Sequence, residues 1–361
     1  MKMSNIKKIL ALVLALVMVL ALCACGASGG TTANSNQPAA SGTDAAPASG
    51  ETVELKLGHP LAPTSSQHIY LQKWADLVNE QSGGKYKITI YPSAQFGEAR
   101  ELVESLSMGV YDLAWCDTAV MDFLVPEINL INMPFFFDSY EQLWTALDGD
   151  AGAALAQDIE EGANIHPLTF FSLGARQIFS NREPITSLES VKNLKFRVPE
   201  LDLWINTFKT LGMNPTPVAW SELYNALATG VVDGGCANWE YICQQKFYSE
   251  APYILESNHF FQCGVPSFNL DFWNSLSDED KQMFTDTCAQ VAAEQRKDVE
   301  DKDSEYKATV IADGATVTPM SEFADTEEVY KRYSDGLWKD IVKAADADDL
   351  YQIMLQATGR A

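Results

Sequence analysis

Hydrophobic positions along this chain switch repeatedly between two periods. In VELKLGHP, Val53, Leu55 and Leu57 fall on every second residue, which predicts a strand ending at Gly58-His59-Pro60. From Ser66 to about Gln81 the spacing becomes helical, with Ile69, Leu71, Trp74, Leu77 and Val78 recurring before a stop at Gly83-Gly84. KYKITIYP predicts a second strand, and Glu98 to Met108 a helix closed by Gly109. YDLAW predicts a strand that delivers Cys116, Asp117 and Thr118 at its end. The pattern returns with a helix over Ser221 to Thr229, closed by Gly230, then VVDGG as a short strand with Cys236 to Trp239 just past it. Strand–helix–strand alternation of this kind predicts an α/β layer fold.

Placement gives the first functional hint. In open α/β sheets, ligands sit beyond the carboxyl ends of strands. His59, Asp117 and the residues after Asp233 all occupy such ends, so they form one candidate set. Further on, Ser277 is a good N-cap before DEDKQMF, whose acids suit the positive end of a helix dipole. That helix is predicted to reach about Ala312, roughly 50 Å at 1.5 Å per residue. Its middle, EQRKDVEDKDSEYK, is nearly all polar. A helix polar all round over several turns suits a bridge between two lobes better than a place in one core.

The amino-terminal residues read differently. Lys2, Lys7 and Lys8 precede an apolar run from Ile9 to Leu22, shorter than the roughly 20 residues of a comfortable membrane span. The run fits the core of a secretory signal. It ends in Leu22-Cys23-Ala24-Cys25-Gly26, which resembles a bacterial lipobox with cleavage before Cys25 and lipid attachment there. Residues 26–50 are rich in Ser, Gly, Ala, Thr, Pro and Asn, too poor in apolar surface to fold, and read as a tether. The expected location is therefore extracytoplasmic, at a membrane face.

About 310 residues remain, enough for two lobes with cores of their own. The formal charge is −24, and −27 without the three signal lysines. Such a chain is not expected to bind nucleic acid, which needs a basic face. It also means that an anionic ligand must be captured by local cations. Beyond the lipobox-like Cys25 five cysteines remain, at 116, 236, 243, 263 and 288, an odd number without the spacing of a disulfide framework or a zinc site. No metal or cofactor is expected. No nucleophile-elbow, zincin or P-loop pattern points to an enzyme. A lipid-anchored hydrolase using Asp117 and Glu200 as paired carboxylates stands as the rival reading, with nothing in the sequence to set their pKa values apart.

Two arginines carry the chemistry. Arginine matches both oxygens of a carboxylate with a planar, permanently charged fork. In LKFRVP, Leu194, Phe196 and Val198 alternate with Lys195 and Arg197, so Arg197 is expected to point off the face its strand buries, with Pro199 ending the strand. The other is Arg176, in LGARQIFSN.

The motifs YPSAQFGEARELVESLSMGVYDLAW, VPEINLINMPFFF, GARQIFSNREPITSLESVKNLKFRVPE, LGMNPTPVAWSELYNALATGVVDGG, KFYSEAPYILESNH and FWNSLSDED follow one another in order. With them the chain resembles the extracytoplasmic solute receptors of tripartite ATP-independent periplasmic (TRAP) transporters, of the dicarboxylate-receptor type. The resemblance implies an α/β, two-lobed, periplasmic-binding-protein-like clamp with a hinge and a lobe-spanning helix. The implied lobes are 51–173 with 262–300, and 174–261 with 301–361, after a signal at 1–24 and an anchored linker at 25–50. It implies a small organic acid as ligand and a TRAP permease as partner; the same fold also serves sensory systems. The family's carboxylate-gripping arginine, before Val-Pro, matches Arg197, and its second arginine matches Arg176. Other implied pocket positions are Asp117, Glu200 and Trp220. The family's ligand-binding asparagine falls on Ala237, with Asn238 one residue later and Trp239 beside it. Carboxylates at Asp117 and Glu200 would repel a second ligand carboxylate and accept hydrogen bonds from hydroxyls. A sugar acid is therefore expected over a dicarboxylate.

Overall fold

The computed structural model describes residues 52–360. The signal, Cys25 and the whole of the tether lie outside the described residues. The strands, in chain order, are β1 (Val53–Gly58), β2 (Tyr86–Tyr91), β3 (Leu113–Asp117), β4 (Ile165–Pro167), β5 (Phe171–Ser180), β6 (Lys195–Val198), β7 (Asn214–Pro217), β8 (Gly234–Asn238), β9 (Tyr253–Glu256), β10 (Phe261–Asn269) and β11 (Thr316–Pro319). β1 and β2 form a parallel pair, as a strand–helix–strand unit requires. The rest form a mixed sheet in the order β11-β9-β5-β8-β6-β7, with β10 joining β3, β4 and β5.

β5 and β10 are buried along their whole lengths, and β5 changes partners midway. Its first half pairs with β10 through Phe171 and Ser172, and its second half, Arg176–Ser180, pairs with β8. Gly174 stands at the change with φ +84°, where a Cβ would lie 2.8 Å from the Cβ of Asn238, so glycine is needed both for the backbone and for the close approach. Arg176 thus sits where the strand passes from one group of neighbours to another.

Burial follows the same division. One apolar cluster gathers Leu55, Leu57, Trp74, Trp115, Phe171, Phe268 and Phe284. A second gathers Phe179, Leu223, Trp239, Tyr241, Ile254 and Val310. The helix Asp278–Ala312 reaches both, giving Phe284, Cys288 and Val291 to the first and Val310 to the second. Its polar middle is not all solvated. Gln295 accepts from the amide of Ser172 at 2.9 Å and Arg296 Nε donates to the carbonyl of Phe170 at 2.8 Å. These contacts tie the bridge to the start of β5. A third, larger cluster includes Phe136, Phe196, Phe208, Trp338 and Met354. The C-terminal helices Trp338–Ala345 and Asp348–Ala357 enter it, with Trp338 Nε1 donating to the carbonyl of Pro134 at 2.8 Å.

Two local expectations are corrected. The strand predicted over VVDGG lies later, at Gly234–Asn238, so Cys236, Ala237 and Asn238 are inside it and Trp239 opens the next helix. The cause is close packing: a Cβ at position 234 would stand 2.2 Å from the carbonyl oxygen of Phe179, so only the glycine run can enter the ladder there. The second correction is Arg197. It is off the apolar face, yet it is buried, because β6 is covered on both sides.

β10 also sets the position of Asp117, since Gly264 pairs with it across the β3–β10 ladder. A Cβ at Gly264 would lie 2.2 Å from Cζ2 of the buried Trp115 indole. Gly264→Ala should therefore destabilise the protein by about 1–3 kcal/mol through overpacking. Urea denaturation at neutral pH checks this, and a variant as stable as the wild type would show that the ladder yields there freely.

Candidate ligand-binding site

Seven arginines lie among the described residues, and they divide sharply. Arg100, Arg182, Arg296, Arg332 and Arg360 each contact a carboxylate oxygen. Arg176 and Arg197 have no carboxylate within ion-pairing distance among the described residues, although they are only 6% and 5% exposed. Their protein contacts are neutral. Arg176 Nη1 donates to Oε1 of Gln262 at 2.9 Å, Nη2 donates to the carbonyl of Cys236, and the guanidinium lies 4.8 Å from the Trp204 ring. Arg197 Nε donates to the carbonyl of Val218 at 2.8 Å, and its guanidinium lies 5.6 Å from the Trp220 ring. Burial pushes the pKa of Arg197 down to about 10, and the charge of Arg176 pushes in the same direction. Two like charges are thus held near each other with little water. A buried charge without a partner is strongly unfavourable, and among the described residues neither guanidinium has a carboxylate that offsets this cost.

Asp117 stands at the end of β3. Its Oδ1 accepts from the amide of Ala119 at 3.0 Å, and Gln262 Nε2 donates to Oδ1 and Oδ2 at 3.1 and 3.2 Å. Burial raises its pKa, while the bonds from Ala119 and Gln262 and the charge of Arg176 lower it. Trp220, half-buried, opens the turn Trp220–Glu222 and meets Tyr241 and Phe247 edge-on at 5.4 and 5.6 Å. The structure therefore joins Asp117 to Arg176 through Gln262, and Arg197 to Trp220. Aromatic faces, two cations and one ionisable acceptor in one neighbourhood can grip a carboxylate and hold hydroxyls.

The remaining candidates stand differently. Asn238 has both ends of its amide engaged: Nδ2 donates to the carbonyl of Leu173 at 2.6 Å, and Oδ1 accepts from the amide of Tyr241 at 2.8 Å as a helix N-cap. Trp239 is packed in the second apolar cluster and walls a cavity of about 240 Å³ with Tyr140, Glu300, Asp303 and Lys307. That cavity includes neither Arg176 nor Arg197. Glu200 is exposed just past β6. His59 is fully buried; its Nδ1 accepts from the amide of Leu61 at 3.2 Å, so Nε2 donates to Nδ1 of His68 at 3.0 Å. Gln262 and Trp204 were not reached from the sequence. The available signal was a lone glutamine inside the otherwise apolar run FFQCGV, since a buried amide in a strand needs polar partners.

Comparisons with known proteins identify the family and the fold. Residues 57–343 match the DctP family, described as bacterial extracellular solute-binding protein, family 7, and the chain belongs to that family. The sialic acid-binding periplasmic protein SiaP of Vibrio cholerae is 27% identical over 80% of this chain and 90% of its own. The sugar acid binding protein DctPAm of Advenella mimigardefordensis, solved in complex with galactonate, superposes with a TM-score of 0.78 at 26% identity, over 86% of this chain and 99% of its own. A TRAP periplasmic solute binding protein of Roseobacter denitrificans with bound β-D-glucuronate does so with a TM-score of 0.78 at 25% identity, over 84% and 99%. The two-lobed α/β fold expected from the sequence is the fold of these proteins.

Burial pushes the pKa of His59 down to about 4, and the neighbouring His68 adds to the shift. The unfolded chain, with an ordinary histidine near 6.5, then binds more protons than the folded one between these values. Stability from this group is complete above about pH 6.5 and falls by about 3 kcal/mol as pH drops toward 4. His59→Gln should flatten the stability–pH curve across that window. Equal slopes for both proteins would place the acid sensitivity elsewhere.

Proposed function

We propose that this protein captures a sugar acid outside the cytoplasm and delivers it to a TRAP permease. The observation that carries the reading is the pair of buried arginines without an acidic partner among the described residues. Arg197 grips the ligand carboxylate, with Arg176 supporting it. Asp117 accepts from ligand hydroxyls, and Trp220 covers a face of the sugar. The galactonate and glucuronate in similar structures support this class of ligand. Glu200, His59, Asn238 and Trp239 complete the surroundings; Asn238 acts through its backbone-bound cap, and Glu200 joins on closure. The lobes, 51–173 with 262–300 and 174–261 with 301–361, close about β5 and the long helix. In this division the helices Trp338–Ala345 and Asp348–Ala357 reach back onto first-lobe segments. Cys25 carries the lipid that holds the receptor at the membrane, so Cys25→Ala should move the protein from the membrane to the soluble fraction, and unchanged membrane retention would refute the anchor.

Arg197→Met separates the ligand role from a structural one. Losing one partner of a buried charge pair costs about 2–5 kcal/mol. Affinity for D-glucuronate or galactonate should fall by about 30-fold to several-thousand-fold. The ligand-free protein should instead become more stable, because an unpaired buried charge is removed. Calorimetric titration with glucuronate, galactonate and succinate, alongside thermal unfolding, checks both. Near-wild-type affinity in the variant, or succinate outcompeting both sugar acids in the wild type, would defeat the reading.

A further inference from the structure

Gln262 lies between the two opposite charges of the site, and both ends of its amide are spent on them. Nε2 donates to both carboxylate oxygens of Asp117, and Oε1 accepts from Nη1 of Arg176. The side chain is buried, and its backbone lies on β10, which pairs with β3 at Asp117 and with β5 at Ala175. The strand register therefore fixes the spacer between the two groups it separates. An amide suits this place because it is neutral and offers donors at one end and an acceptor at the other.

We propose that Gln262 is a charge spacer that positions Arg176 for the ligand. Opposite charges in a dry pocket attract strongly, and an arginine and a carboxylate left free there close into a bidentate pair. Such a pair would satisfy both groups internally and leave neither for a ligand. With Gln262 between them, protein acceptors take only two of the five guanidinium N–H groups of Arg176, and its Nε has no partner among the described residues. Asp117 meanwhile keeps acceptor capacity, held toward its ionised form by the same amide. The proposal rests on the sugar-acid reading above for its choice of ligand, but the spacing itself does not.

The test uses the full chain with Gln262→Met and Gln262→Glu. In ligand-free crystals of Gln262→Met, Arg176 and Asp117 should come into direct ion-pair contact. Its affinity for D-glucuronate should fall at least about tenfold with unfolding still cooperative. Gln262→Glu puts a second acid beside Asp117 and neutralises Arg176. Glucuronate binding should drop about a hundredfold at about pH 7.5 and recover in part at about pH 5, as the two carboxyls share a proton. The direct Arg176–Asp117 contact in Gln262→Met is the readout that a merely structural glutamine would not produce. The spacer is overturned if the charges stay apart in Gln262→Met, or if both variants bind glucuronate within about twofold of wild type at each pH. Should one variant fail to fold, the other decides. Failure of wild type to bind glucuronate would strike the sugar-acid reading alone, because the ligand-free crystals still judge the spacer.

Discussion

Two guanidinium groups buried without a carboxylate partner among the described residues are the constraint around which this molecule is arranged. Burying an ion costs several kcal/mol even after relaxation, and an internal acid would relieve it at once. Among the described residues the other five arginines have such acids, while Arg176 and Arg197 are given carbonyls, an amide and aromatic rings instead. These partners orient the forks without cancelling their charge. On the proposed reading, that cost is offset when an anionic ligand binds. In a chain of formal charge −24, the pair is a local concentration of positive charge.

The fold supplies the means of holding that arrangement. β5 exchanges neighbours at Gly174–Arg176, so Arg176 is anchored by strands from both sides of the change. β10 brings Gln262 and the Asp117 register to the same level. The long helix binds the start of β5 through Gln295 and Arg296, close to the change. Relative movement of two lobes about such a strand would be felt first at Arg176, which is where the ligand's charge is expected.

Much of this was legible in the chain. Alternation located β1, β2 and β3, and the Ser277 cap and the absence of a break located the helix Asp278–Ala312. Arg176 and Arg197 stood out because cations are scarce in acidic surroundings. What was missed has physical causes. Periodicity assumes one buried face, so it could not see that β6 is covered on both sides and that Arg197 is interior. The glycine run at 234–235 enters the ladder because of tight approach to Phe179, which no local pattern encodes. Gln262 owes its role to register across β3, β5 and β10, a relation between segments far apart in sequence. His59 and Asn238 sit at the strand ends where ligands gather, yet their polar atoms are engaged by His68, Leu61, Leu173 and Tyr241. Position at a strand end names candidates; the partners of each polar atom decide what it is free to do.

The central claim is that the unpaired charge of Arg197 and Arg176 is completed by a ligand carboxylate. A crystal structure of the protein with bound D-glucuronate tests it most directly. The ligand carboxylate is predicted to accept from the terminal nitrogens of Arg197, with Arg176 adjacent and ligand hydroxyls turned toward Asp117. A ligand bound with its carboxylate away from both arginines, or an acidic side chain of the protein found closing onto Arg197 in the complex, would contradict it.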